Sequence, residues 1–282
     1  MRTIKDLQEM HSYSMKMKRR GKSIGLVPTM GYLHEGHLSL VEAARKKADL
    51  VVVSIFVNPA QFGPGEDFSR YPRDLKRDRK LLNNFEVDVL FLPDAPKMFS
   101  GEHQSYVEVE GLSQKMCGRS RPTHFRGVTT VVAKLLNLVS PDYAFFGEKD
   151  FQQLLIIKKM VKELNFPVEI IALPTVREFD GLALSSRNQY LNPKQRKAAA
   201  VLYQALCLAK KEIENGERNP HKIIAQMRSL LSAAPGVRLD YLVLADPETL
   251  IELKKIKRKV LVALAADVGP ARLIDNLLVE AK

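Results

Sequence analysis

Through residues 1–175 the chain alternates short apolar runs with stretches in which apolar residues recur every three or four positions. The runs at 23–27, 50–57, 87–92, 143–146 and 168–173 are rich in Val, Ile and Leu and predict strands. The stretches at 38–47, 73–83, 127–138 and 151–164 have helical spacing. Strands that are apolar at consecutive positions are buried on both faces, so the pattern predicts a doubly wound α/β fold around a parallel sheet. Gly63, Pro64 and Gly65, followed by the polar stretch 66–71, predict a mobile loop. The last third differs. Residues 193–215 and 221–233 predict helices, while 238–244 and 259–265 predict strands joined through a helical 247–253. That is the pattern of a smaller α+β domain, dividing the chain into 1–175 and 176–282 with a junction near 175–187.

The most informative stretch is Pro28-Thr29-Met30-Gly31-Tyr32-Leu33-His34-Glu35-Gly36-His37, where the first of these strands turns into a helix. Helix N-termini carry unsatisfied N–H groups and partial positive charge, so anions dock there. Residues three apart share a helical face, so His34 and His37 can address one ligand. A phosphate-bearing substrate fits. Taken alone, such a pair is more often surface decoration or an incomplete metal site than catalytic machinery. Zinc needs three or four suitable ligands; Glu35 and Glu42 are near, but there is no His-Glu-x-x-His pattern and no cysteine cluster. The glycine spacing matches neither the dinucleotide fingerprint nor the phosphate-binding loop.

In open α/β sheets ligands gather outside the carboxyl ends of the strands. Asn58 and Gln61 follow the second strand on a proline-limited turn, and Gly147, Glu148, Lys149 and Asp150 follow the fourth, just before Gln152 and Gln153. The fifth leads through Thr175, Val176 and Arg177 to Leu184, Ser185, Ser186, Arg187 and Asn188. Each cluster has an ordinary explanation: an ion pair for Lys149 and Asp150, surface amides for Gln61 and Gln153, a helix-capping turn for 185–188. Their coincidence on one rim favours a site. Lys149 and Arg187 supply charge-assisted contacts to phosphate, Ser185 and Ser186 add donors, and the glutamines both donate and accept. With no Ser-His-Asp or Cys-His arrangement, the chemistry that fits is nucleotidyl transfer without a protein nucleophile, driven by positioning and charge stabilisation.

Composition narrows the class. The chain has 282 residues, 45% hydrophobic and 27% charged, as in globular proteins, and is long enough for two ordinary domains. No apolar run reaches the length of a membrane span, and the N-terminus is polar without a signal-peptide core. Cys117 and Cys207 are isolated, and a cytoplasmic protein is expected. The net charge of +12 asks for an acidic partner. Basic tracts at 16–20, 45–47, 73–80 and 254–259 lack interleaved aromatics, which argues against nucleic acid. Asp74 and Asp78 inside one tract suggest a solvated helix face. A small polyanion such as a nucleotide accounts for part of the charge.

Taken together, the motifs carry a resemblance. The segment 30–37 resembles the His-x-Gly-His signature of the nucleotidyltransferase superfamily. With Phe56-Val57-Asn58-Pro59-x-Gln61-Phe62-Gly63, Tyr71-Pro72-Arg73, His124-Phe125-Arg126-Gly127, Phe146-Gly147-Glu148-Lys149-Asp150, Ser185-Ser186-Arg187-Asn188 and Arg272-Leu273-Ile274-Asp275-Asn276, the chain is similar nearly end to end to the pantothenate synthetase (pantoate–β-alanine ligase) family.

The resemblance implies a Rossmann-like N-terminal domain with a smaller C-terminal lid, a homodimer, ATP as co-substrate with Mg²⁺, and pantoate and β-alanine as the other substrates. It implies that pantoate is adenylated and that β-alanine then displaces AMP. It assigns Met30, Gly31, Tyr32, Leu33, His34, Glu35, Gly36 and His37 to the nucleotide, with His34 and His37 on phosphates and His37 as proton donor. Gly147, Glu148, Lys149 and Asp150 also take ATP, Lys149 on phosphate and Asp150 on ribose, while Val176 faces adenine. Leu184, Ser185, Ser186 and Arg187 correspond to the mobile Lys-Met-Ser-Lys-Ser loop of related synthetases. His37, His34, Lys149 and Arg187 are the implied catalytic set, and Gln61 and Gln153 hold pantoate, with β-alanine also near Gln61. Leu184 stands where many members have methionine and Ala60 where a larger apolar residue is common. The implied Mg²⁺ ligands are undefined. Another nucleotidyltransferase, such as a cytidylyltransferase, and a nucleic-acid-binding protein are the competing readings.

Overall fold

A computed structural model describes residues 1–281. The chain forms two compact units. One comprises Met1–Ser113, Arg121–Glu148 and Gln153–Pro174; the other comprises Gln114–Ser120, Lys149–Gln152 and the chain from Thr175 onward.

The first unit is built on six strands, β1 (Arg2–Ile4), β2 (Ile24–Thr29), β3 (Leu50–Ile55), β4 (Val89–Phe91), β5 (Tyr143–Gly147) and β6 (Glu169–Leu173). They lie in the order β1-β4-β3-β2-β5-β6 and every pairing is parallel. Along the chain come helices α1 (Leu7–Arg19), α2 (Glu35–Lys47), α3 (Leu75–Asn83) and the short α4 (Ala95–Met98). A single turn of helix, α5 (Cys117–Ser120), belongs to the second unit. Then α6 (His124–Val139) precedes β5 and α7 (Phe151–Glu163) follows it. Leu26, Val27, Val51, Val53, Leu90 and Phe91 are fully buried, as a sheet covered on both faces requires. The parallel α/β fold expected from the apolar runs is the one observed. From β2 the chain winds outward through β3 and β4 on one side, then returns to β5 and β6 on the other. The carboxyl ends of β2 and β5 therefore flank the point where strand order reverses, the usual ligand position in such sheets.

Strand β1, helix α1 and the short α4 lie outside the expected pattern. Strand β1 is three residues long and only Ile4 is buried, so its pairing to β4 is decided by tertiary contact. Helix α1 is capped by Asp6, whose side chain accepts the N–H groups of Gln8 and Glu9. The basic tract 16–20 forms its last turn, where cations offset the helix dipole. Lys18 reaches Asp142 at 3.0 Å and the Ser140 carbonyl at 3.1 Å. Likewise the tract 45–47 ends α2, with Arg45 on Asp88 at 2.6 Å.

The second unit holds helices α8 (Pro193–Ala199), α9 (Val201–Glu214) and α10 (Pro220–Ser232) and an antiparallel sheet of β7 (Val237–Ala245), β8 (Lys259–Val268) and β9 (Ala271–Glu280). The expected helix 193–215 is interrupted at Ala200. The expected helix 247–253 is instead a turn. Asp246 Oδ1 accepts the N–H groups of Glu248 and Thr249 and the Thr249 hydroxyl, a local competitor to helical bonding. Strand β9 was not expected; Gly269, with φ 56°, and Pro270 turn β8 tightly into it.

Phe145 is 1% exposed and packs in the cluster of Val27, Leu33, Val53 and Leu90. Phe145→Ala is expected to cost about 3–5 kcal/mol of stability, measured by urea unfolding.

Candidate active site

The turn after β2 is held from below by a carboxylate. Asp78 on α3 is 1% exposed and accepts the N–H of Tyr32 on one oxygen and of Leu33 on the other, both at 2.8 Å. Burial pushes its carboxyl above the usual range, although these two N–H groups and Arg77 pull the other way. The grip fits the turn's shape. Gly31 has φ 84° and Tyr32 φ 51°, and a Cβ on Gly31 would fall 2.9 Å from Ile55 and 3.2 Å from Asp78. Thr29 closes the other side, donating to the Ser54 carbonyl at 2.8 Å and accepting the Gly31 N–H at 3.2 Å. The expectation of a solvated face holds for Asp74, which is exposed and caps α3 through the Arg77 N–H, and is corrected for Asp78, which is interior.

Helix α2 starts directly on this turn with His34 as its N-cap. The His34 N–H donates to His37 Nδ1 at 3.4 Å, and the two rings lie 4.0 Å apart between centroids. An Nδ1 that accepts carries no proton, so neutral His37 is the Nε2–H tautomer, a donor. A helix start and an oriented imidazole donor are together suited to an anion.

The wall after β3 is a network of neutral amides. Asn58, 1% exposed, donates from Nδ2 to Gln61 Oε1 and to the Gly127 carbonyl, each at 3.0 Å. Gln61 in turn points Nε2 at Met30 Sδ, 3.2 Å away. With Oε1 already accepting, Gln61 presents its NH₂ group, a donor suited to a hydroxyl or carboxylate. Helix α6 presses on this wall so closely that a Cβ on Gly127 would fall 2.2 Å from the Ala60 carbonyl oxygen. The Gln61 carbonyl accepts from Arg121 at 3.1 Å and from His124 Nδ1 at 2.9 Å, and Arg121 forms an ion pair with Glu66. The stretch 66–71 is irregular and anchored at Glu66 and at Phe68, whose carbonyl accepts from Arg73. Gln153, half-buried on α7, lies in this first unit as well.

The second unit carries a separate set. Lys149 Nζ lies 3.7 Å from Asp150 Oδ1, the ion pair that an ordinary reading allows. Asn276 donates to the Lys149 carbonyl at 2.8 Å. Val176 and Leu184 face each other across a small hairpin, Leu184 N–H to Val176 carbonyl at 3.0 Å. Ser185 follows, its hydroxyl accepting the Arg187 N–H at 3.3 Å, and Ser186 is buried. Asn188 ties this turn to Glu178 and to the Ala183 carbonyl. Gln152, adjacent to Gln153, is committed elsewhere: it accepts the Cys117 N–H and donates to the Lys115 carbonyl.

Within the first unit the structure joins Met30, Gly31, Tyr32, Leu33, His34 and His37 to Gln61; within the second it joins Val176, Leu184, Ser185 and Arg187. Sequence reasoning passed over Asp78, Arg121 and Glu66. The signal for Asp78 was a lone acid among bases, one helical turn after the capping Asp74.

The pantoate-beta-alanine ligase family model matches residues 2–278. Pantothenate synthetase of Moorella thermoacetica is 55% identical over 280 residues, 99% of each chain. The crystal structure of pantothenate synthetase from Thermus thermophilus superposes with TM-score 0.93 at 48% identity, covering 98% of this chain and 99% of that one. A Francisella tularensis pantoate-beta-alanine ligase, complexed with beta-gamma ATP and beta-alanine, gives TM-score 0.82 at 34% identity, covering 99% and 97%.

The Glu66 pair has a pH signature. Burial alone would raise this carboxyl, but the Arg121 hydrogen bond and charge outweigh it, leaving it below its ordinary 4.5. A depressed carboxylate stabilises the fold above 4.5, and that contribution is lost as pH falls through the lowered value. Glu66→Gln is therefore expected to be less stable than the parent at pH 7 and to converge with it well below pH 4.5, followed by thermal unfolding across pH.

Proposed function

The chain belongs to the pantoate–β-alanine ligase family, and we propose that it makes pantothenate by the two-step route outlined here, with the residues named below. It is an ATP-dependent enzyme that joins pantoate to β-alanine. In the first step a carboxylate oxygen of pantoate attacks the α-phosphorus of ATP. The bond to the bridging β-phosphate oxygen breaks, giving pyrophosphate and pantoyl adenylate. In the second, the β-alanine amine attacks the acyl carbon, AMP leaves with the C–O bond electrons, and the amine gives up a proton as the amide forms.

The observation that carries the residue roles is the turn that Asp78 holds at the start of α2. We read His37 Nε2–H, placed by that turn, as a donor to the nucleotide phosphates, with His34 beside it. Charge builds on those oxygens as pyrophosphate departs, and preorganised donors aimed there lower the barrier. Lys149 and Arg187 are read as the cations for phosphate, Ser185 and Ser186 as further donors, Asp150 as the ribose contact and Val176 as the adenine contact. Gln61 and Gln153 are read as the pantoate amides; Gln61's NH₂, oriented by Asn58, suits that role. Mg²⁺ is proposed to arrive as part of MgATP, held by phosphate and water as that ion prefers. Among the described residues no three His, Cys, Asp or Glu side chains gather as a metal cage, a donor set better suited to an ion brought by the nucleotide. The same reading makes the protein a cytoplasmic homodimer with 176–282 acting as a lid. Among the described residues no helix is long and apolar enough to cross a membrane.

With ATP and pantoate but no β-alanine, the protein is expected to exchange labelled pyrophosphate into ATP. A cytidylyltransferase would be indifferent to pantoate, which would sink the reading. His37→Ala and Lys149→Ala should each lose exchange by about 100-fold or more, the scale of one preorganised donor, with circular dichroism unchanged; near-normal exchange removes that residue's role. Gln61→Ala should weaken pantoate far more than ATP in isothermal titration.

A further inference from the structure

The segment Arg272-Leu273-Ile274-Asp275-Asn276 on β9 has no part in the chemistry above, yet its last two polar side chains are buried. Asp275 is 2% exposed and Asn276 8%. Asp275 accepts both arms of the Arg177 guanidinium, at 2.6 and 2.9 Å. Arg177 also donates to the carbonyls of Gly181 at 3.0 Å and Asn276 at 3.3 Å, and it stacks on the Tyr203 ring 4.2 Å from the centroid. The five N–H donors of the fork are rigidly related, so Arg177 fixes both its carboxylate and the turn at Gly181. That turn closes against Tyr203 only as glycine: φ is 88°, and a Cβ would fall 1.9 Å from the ring. The hairpin so anchored bridges Arg177 to Ala183 and leads without a break into Ser185 and Arg187.

Asn276 acts on the other group. Its Nδ2 donates to the Lys149 carbonyl at 2.8 Å. A lysine reaches through four flexible methylenes, so where its ammonium can go depends on where its main chain is held.

A buried ion pair often does no more than break even against desolvation, so stability alone is a weak reason for one. Fixed geometry is what Asp275 and Arg177 offer. We propose that Asp275 and Asn276 are positioning residues for the nucleotide, Asn276 by holding the Lys149 main chain and Asp275 by fixing, through Arg177, the hairpin that carries Ser185 and Arg187. This rests on the reading of Lys149, Ser185 and Arg187 as phosphate-binding groups.

The test uses the full-length protein. Asn276→Ala is expected to weaken ATP about tenfold in isothermal titration, the scale of one lost hydrogen bond, with pantoate affinity held within about twofold and little change in Tm. Arg177→Lys, which keeps the charge and loses the fork, should raise KM for ATP more than it lowers kcat; it replaces Arg177→Ala, which would leave Asp275 buried without its partner. In a Lys149→Ala background, Asn276→Ala should add almost nothing, since coupled residues are not additive. Equal weakening of ATP and pantoate, a loss confined to Tm, or full additivity with Lys149→Ala would make these residues merely structural and overturn the proposal. If Lys149→Ala alone binds ATP normally, the reading of Lys149 falls, and the proposal with it, by a result that the Asn276 variant does not share.

Discussion

Two amide N–H groups on one buried carboxylate set the terms for everything at the end of β2. A turn with two successive residues at positive φ, one of them Tyr32, is costly for an isolated chain. Asp78 offsets that cost by accepting from Tyr32 and Leu33 at once, and it can do so only because α3 brings it to the underside of the turn. The consequence is directional. With these amides tied down, the following residues enter α2 with His34 as the cap and His37 one turn on, so the imidazoles inherit their placement from a residue on another helix.

The same division of labour recurs after β3, with neutral groups in place of charge. Asn58 orients Gln61 while Arg121 and His124 hold its carbonyl. The result is an amide whose NH₂ group is presented in one direction, with its carbonyl oxygen already satisfied. Within the second unit, Lys149 and Arg187 each sit on a short turn whose main chain is fixed by neighbours of that same unit.

Much of this was legible in the residues. Strands with consecutive Val, Ile and Leu announced a parallel sheet because only burial on both faces tolerates them, and the rim then told where to look for chemistry. What escaped was decided by distant contact or by local polar competition. Nothing in Arg2-Thr3-Ile4 marks a strand until β4 lies alongside. Asp246 unmade a helix that spacing alone allowed. Strand β9 had a readable signal in Gly269-Pro270, obscured because its polar Asp275 and Asn276 break the apolar alternation for reasons of partner and not of solvent. Asp78 could not be told from Asp74 by composition; the difference is which way α3 turns each one.

Helix α6 meets the wall beside Gln61 main chain to main chain, with Gly127 against Ala60. A contact of that kind has no slack. A Cβ added on the α6 side would strike main chain that no rotamer change can move aside, so a change of size at this wall has to come from the Ala60 side. Ala60, already the smallest that still has a Cβ, leaves room for growth in one direction only.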